Sequence, residues 1–197
     1  GVAELHLTAP EEKWGVSTRG GFASGDGNPD DGTIRDFSFD RDYNVGIVMH
    51  DYYQGALEVG LHNQLTDPEN SGSPPDGVEA AVTEGAVRKS TYLQPVVFVK
   101  PLPWLTIKTG AVVSWATAPI SQGFYTFRNG GSNVNHLGNE TEGYYLGTEL
   151  DWGVVVDGAA LFDGERKECE GCAESRIPSL EIQGGHLFTS PEYGTGD

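Results

Sequence analysis

Residues 143–156 read Gly-Tyr-Tyr-Leu-Gly-Thr-Glu-Leu-Asp-Trp-Gly-Val-Val-Val and alternate in character with a period of two. Tyr144, Leu146, Thr148, Leu150, Trp152, Val154 and Val156 occupy one parity, and Gly147, Glu149, Asp151 and Gly153 occupy the other. Strand side chains point to opposite faces in turn, whereas a helix repeats every 3.6 residues or about that, so the run specifies a strand. It outlasts the usual globular strand of roughly five or six residues. It matches a membrane-crossing strand, which takes about 9–11 tilted residues with lipid on one side and a polar interior on the other.

The same alternation recurs along the chain, over residues 2–9, 13–23, 43–50, 56–64, 105–116 and 179–188. Residues 91–100 are more uniformly apolar and contain Pro95, which removes a ladder donor. These runs predict roughly eight strands, and their connections have a rhythm of the kind barrels show. The linkers 10–12, 51–55 and 101–104 are short, 24–42, 65–90 and 117–142 are long and polar, and 157–178 is intermediate. Tight turns at one end and long loops at the other mark an up-and-down outer-membrane barrel, whereas a Greek-key sandwich does not require that order. The cysteine-bearing linker 157–178 then falls on the tight-turn, periplasmic side.

No apolar run reaches the about 18 residues of a transmembrane helix, but barrel strands alternate and give no such run. The net charge of −17 argues against a nucleic-acid partner and is compatible with divalent cations or an acidic solvated surface. The chain opens on Gly1 and stops in a Gly-rich stretch, which reads as a processed product or a segment of a longer protein. Cys169 and Cys172, spaced as Cys-Glu-Gly-Cys, fall short of the four ligands of a closed zinc site. Without a βαβ pattern around them they read as a small disulfide ring or as two free thiols.

The segment 21–26 (Gly-Phe-Ala-Ser-Gly-Asp), the segment 39–46 (Phe-Asp-Arg-Asp-Tyr-Asn-Val-Gly) and the segment 143–151 follow one another in an order that resembles alginate-export-type outer-membrane porins and their deltaproteobacterial relatives. The resemblance covers most of the chain. It implies a larger barrel of about sixteen to eighteen strands, of which this chain would be a C-terminal part. An N-terminal half and a closing strand of that family are not matched here.

With the apolar parity against lipid, the other parity lines a lumen. The expected lining is Glu4, Lys13, Arg19, Glu58, Lys108, Glu149, Asp151 and Glu181, with His6, Ser17, His62 and Gln183 beside them. Mixed charges across a pore select polar solutes, while the alternative is that they pair across strands and fill a blocked interior. Asp26, Asn28 and Asp30 set oxygen ligands at alternate positions of loop 26–32, as at the start of a calcium loop. Asp31 stands where that loop needs glycine, and Phe37 where it needs a carboxylate. Glu149 and Asp151 project together, but no nucleophile elbow or close histidine spacing accompanies them, so no enzyme chemistry is expected. Trp14, Trp104, Trp115 and Trp152, with the pairs Tyr52-Tyr53 and Tyr144-Tyr145, fall near expected strand ends, as aromatic girdles do.

The sequence therefore predicts an all-β, antiparallel, up-and-down transmembrane β-barrel in a bacterial outer membrane. It is either one domain over 1–197 or a segment of a larger barrel, and it passes polar or charged solutes passively. Its partners are membrane lipid, a solute, and either a protein partner or further copies of itself. Two rivals stand beside this reading: a structural barrel anchoring or sheathing a partner complex, and a secreted calcium-dependent β-sandwich. The sandwich expects two sheets with Trp152 and Val154 buried between them.

Overall fold

Six of the expected strands, five alternating runs and the more uniformly apolar 91–100, form and pair in chain order. The computed structural model describes residues 1–25, 33, 35, 37–40, 42–55, 67, 69, 87–119, 134–135, 137–141, 143–162 and 178–190. Its strands are β1 (Val2–Thr8), β2 (Trp14–Phe22), β3 (Ser90–Leu102), β4 (Leu105–Ala116), β5 (Tyr145–Val156) and β6 (Leu180–Thr189). They form one antiparallel meander in the order β1-β2-β3-β4-β5-β6. Among the described residues β1 and β6 are its two edges, so the sheet is open, where the sequence predicts a closed barrel.

The connections keep their alternation. Residues 9–13 and 103–104 turn tightly at one end, while 23–89 and 117–144 leave from the other. The link from β5 to β6 returns to the tight-turn end and begins with a short helix, Gly158–Phe162. Pro95 is accommodated inside β3, opposite Thr18 of β2. On the β4 side the ladder lapses between Leu93↔Val113 and Val96↔Gly110, then resumes in the same register. The missing proline N–H thus costs a local gap and no slip.

One expected strand is not a strand. Residues 43–50 run through turns into a π-helix, Met49–Gln54, although their apolar residues alternate. Consecutive N–H groups of a strand point to opposite sides. Here the N–H groups of Ile47, Val48 and Met49 all converge on the carboxylate of Glu149, which only a curled backbone permits. The expected strand at 56–64 lies outside the described residues.

The two faces of the sheet are treated in opposite ways. Register places Leu7, Val16, Val97, Thr109, Trp152 and Gly184 in one transverse row, with Trp14, Val99, Ile107, Val154 and Ile182 on the same face. This apolar face is bare: Leu5 is 61%, Leu150 47% and Trp152 52% exposed. On the polar face Lys108, Glu181 and Gln183 toward the tight-turn end are exposed, while the long-loop half is covered. Val45, Val87, Tyr92 and Val112 form a buried cluster there, flanked by Phe39 and Tyr43. A sheet in water buries its apolar side, so this arrangement is inverted.

Candidate functional site

The polar face gathers most of the expected lining residues. Glu4 pairs in register with Arg19, and Arg19 with Gln94. Lys108 stands opposite Gly153, Asp151 opposite Gly185, and Glu181 opposite Val155, all on this face. Lys108 Nζ and Glu181 Oε1 are 3.9 Å apart near the tight-turn end. Lys13 precedes β2 in the turn, where its Nζ lies 2.7 Å from Glu11. It therefore sits at the rim. Glu58, the calcium-loop residues Asp26, Asn28 and Asp30, and the pair Cys169 and Cys172 lie outside the described residues.

A strap of chain, residues 42–55, crosses this face at the long-loop end. Asn44 meets β2, where Arg19 NH2 donates to its carbonyl at 3.0 Å. The Tyr43 hydroxyl bonds that of Tyr92 on β3. Val45 packs in the cluster that holds Val112 of β4. Residues 47–49 bind Glu149 of β5. Val48 reaches Gly185 of β6, where a side chain would meet its Cγ2 at 2.9 Å. Residues 43–48 therefore span β2 to β6, transverse to the sheet, and His50 turns back onto Ser114 of β4.

Glu149 is the centre of the arrangement. It is fully buried, at 0% exposure, and its two carboxylate oxygens accept the N–H groups of Ile47, Val48 and Met49 at 2.5, 2.7 and 2.7 Å. These N–H groups open the π-helix, where a helix N-terminus presents its positive end to an anion. Gly46 takes a left-handed φ of +74°, and a Cβ there would stand 2.8–2.9 Å from the same carboxylate. Both backbone conformation and space therefore call for glycine at this position. Asp151 lies one step along the strand face, within side-chain hydrogen-bond reach of Glu149, and its Oδ1 is buried with no other hydrogen-bond partner among the described residues.

At the other end, Arg19 is held in place by its neighbours. Its Nε and NH2 donate to Gln94 Oε1 at 3.1 and 2.6 Å, and Glu4 stands 3.7 Å away. Its guanidinium lies over the Tyr43 ring, 5.3 Å from the centroid. Between the two ends His50 is buried, with Nε2 3.0 Å from Ser114 Oγ and Nδ1 3.0 Å from Gln54 Oε1. Burial pulls the His50 imidazole down from 6.5 to about 4, against smaller upward pulls from the Gln54 hydrogen bond and the Glu149 charge. Burial raises the neighbouring Asp51 carboxyl, and the Glu149 charge adds to that.

Tyr43, Asn44, Gly46, His50, Gln94 and Ser114 are absent from the lining expected from sequence. Only Gly46 carried a local signal, as a glycine in the run 43–50, whose alternation is also broken by Val48. The rest depends on Glu149 and Arg19, which lie far along the chain from the strap. Aromatic placement is sharper than expected: Phe22, Thr91, Trp115 and Tyr145 form one transverse row at the long-loop end of the apolar face. Phe188 of β6 lies near the same end. Trp152, in contrast, sits inside β5.

No helix among the described residues is long and apolar enough to cross a membrane, which says nothing of strands. No protein-family model, curated protein or solved structure matches the chain.

Proposed function

We propose that this sheet is wall from an outer-membrane β-barrel channel that passes polar solutes passively, with its polar face toward water and its apolar face toward lipid. The observation that carries the reading is the inversion of the faces. A bare apolar surface across six strands is large for a soluble protein, whose exposed patches seldom exceed a few hundred Å². Strand length agrees. β3, β4 and β5 have 13, 12 and 12 residues. A rise of about 3.3 Å per residue at a tilt near 45° then carries twelve residues through about 28 Å, close to the hydrocarbon thickness. The aromatic row through Phe22, Trp115 and Tyr145 supports an interface at the long-loop end.

Closure requires more strands than the six described, since single-chain barrels start at about eight and keep an even number. Because six is even, β1 and β6 run antiparallel, and added hairpins or neighbouring copies can complete the ring without reversing a strand. The secreted sandwich fits poorly, because the described strands make one sheet and Trp152 is uncovered. A second reading, a structural barrel serving as anchor or sheath, draws support from the strap, which occupies part of the inner face.

The test is the protein extracted in detergent and run on a gel boiled and unboiled, followed by swelling of proteoliposomes in sugars of graded size. A shift on boiling with sugar entry is the expected result. A shift without entry favours the structural barrel, and recovery as a soluble protein with no shift refutes both.

A further inference from the structure

We infer that the aperture of this channel is set by a two-ended electrostatic clasp, Arg19 on β2 and Glu149 on β5, which stretches the strap 42–55 across the lumen. The inference rests on the channel reading above and names the residues that fix its width.

The polarity of the two ends is the argument. An irregular segment carries main-chain N–H and C=O groups that must find partners when covered. Arg19 supplies donors and takes the carbonyl of Asn44. Glu149 supplies acceptors and takes three successive N–H groups, of residues 47 to 49. Two strands, β3 and β4, separate them, which is about 14 Å at the usual strand spacing. Three to five residues of the strap, together with the reach of the Arg19 and Glu149 side chains, cover that span. The strap therefore crosses the face between two charges of opposite sign, and its register is fixed by Gly46, where the left-handed backbone and the missing Cβ make room for the Glu149 carboxylate.

Glycine on both sides lets the clasp close. Gly46 admits the carboxylate from the strap side, and Gly185 from the wall side, where a Cβ would meet Asp151 Oδ1 at 2.7 Å and Glu149 Oε1 at 3.3 Å. Glu149 is a positioning residue here: its carboxylate is spent on main-chain N–H groups and not presented to solute.

Three variants separate this role from simple loss of lumen charge. Glu149→Gln keeps the shape and turns one acceptor into a donor facing an N–H. Gly46→Ala crowds the carboxylate without altering charge. Glu181→Gln removes the same charge from the same face, away from the strap. Two readouts apply to the full chain in micelles or vesicles: amide hydrogen exchange of peptides covering 42–55, and the largest sugar admitted. Glu149→Gln and Gly46→Ala are expected to speed exchange in the strap, leave the strands protected, keep the heat shift and admit larger sugars, whereas Glu181→Gln admits the same sugars as wild type. Strap exchange unchanged in both clasp variants overturns the inference, as does a size limit that moves equally in Glu181→Gln. Loss of the heat shift in both clasp variants also overturns it, because a device that only sets the aperture must leave the wall closed. Wild-type vesicles that admit no sugar refute the channel reading, while the exchange measurement still decides the clasp.

Discussion

Acidification should loosen the strap through one side chain, His50. In the unfolded chain this imidazole takes up its proton near 6.5, and in the folded protein it resists until about 4. The unfolded state binds more protons throughout that window, so stability is full above it and falls as pH drops through it. Each pH step costs about 1.4 kcal/mol, so descent from about pH 7 to about pH 4 removes about 3 kcal/mol. The structure gives the cause: the ring lies between Gln54 and Ser114 with 1% of the residue exposed, and it packs against the Tyr92 ring at a centroid distance of 6.0 Å. Urea unfolding in detergent micelles, followed by tryptophan fluorescence, measures the loss. Asp51 is held upward and titrates in the opposite sense, and other carboxyl groups contribute as well. The informative quantity is therefore the difference between wild type and His50→Gln, whose amide can still meet Ser114. Wild type should lose about 3 kcal/mol more than the variant over this range. Equal losses in the two proteins refute a buried neutral imidazole and the packing of the strap that buries it.

Leu150, midway along β5 on the bare face, discriminates lipid from water: Leu150→Arg should cost about 2–4 kcal/mol in vesicles, whereas Trp115→Arg near the strand end should cost about 0–1 kcal/mol, both by urea unfolding. Near-zero values at both sites would mean that this face meets water. Glu149→Ala strands three covered N–H groups at about 1 kcal/mol or more each, so the urea midpoint should fall by the equivalent of about 3 kcal/mol. An unchanged midpoint would sink the clasp geometry. Arg19→Met keeps an unbranched stem but removes the guanidinium over Tyr43 and the donors to Gln94 and Asn44, and should raise hydrogen exchange around residue 44 while sparing β2. Exchange that rises equally in β2 would make Arg19 a strand residue and not an anchor.

Strands were legible wherever period and environment agreed. Residues 105–116 alternate between an apolar parity and a polar one that is covered from Val112 onward, and β4 spans Leu105–Ala116 as the pattern specifies. Pro95 weakened the expectation for β3, but a single lapse on one side of a ladder is cheap when β2 pairs through it. Residues 43–50 misled because Val45 and Met49 are buried as alternation implies, yet they are buried by a curled strap. Locally only Gly46 and Val48, an apolar residue on the polar parity, depart from a strand pattern. The deciding partner, Glu149, is about a hundred residues away, and its carboxylate reads as a pore-lining charge until its acceptors are seen to be occupied. Likewise Arg19 was legible as a charge on the polar face, but its grip on a main-chain carbonyl was not.

The inversion of the sheet and the presence of the strap have one origin. Strict alternation gives an outer surface of Leu, Val, Ile and Trp that asks nothing of its surroundings but low polarity. It leaves an inner surface on which Glu149 and Arg19 need hydrogen-bond partners. Apolar side chains alone would bury those charges at a cost of several kcal/mol each. A segment with exposed main-chain N–H and C=O groups has the complementary need, because no regular ladder satisfies them. Docking irregular chain on a polar wall meets both demands at once, and the three N–H groups on Glu149 are where that exchange is most complete. The inner face of such a wall can therefore hold ordered chain without being apolar, and it holds it where charge placement, more than area, dictates.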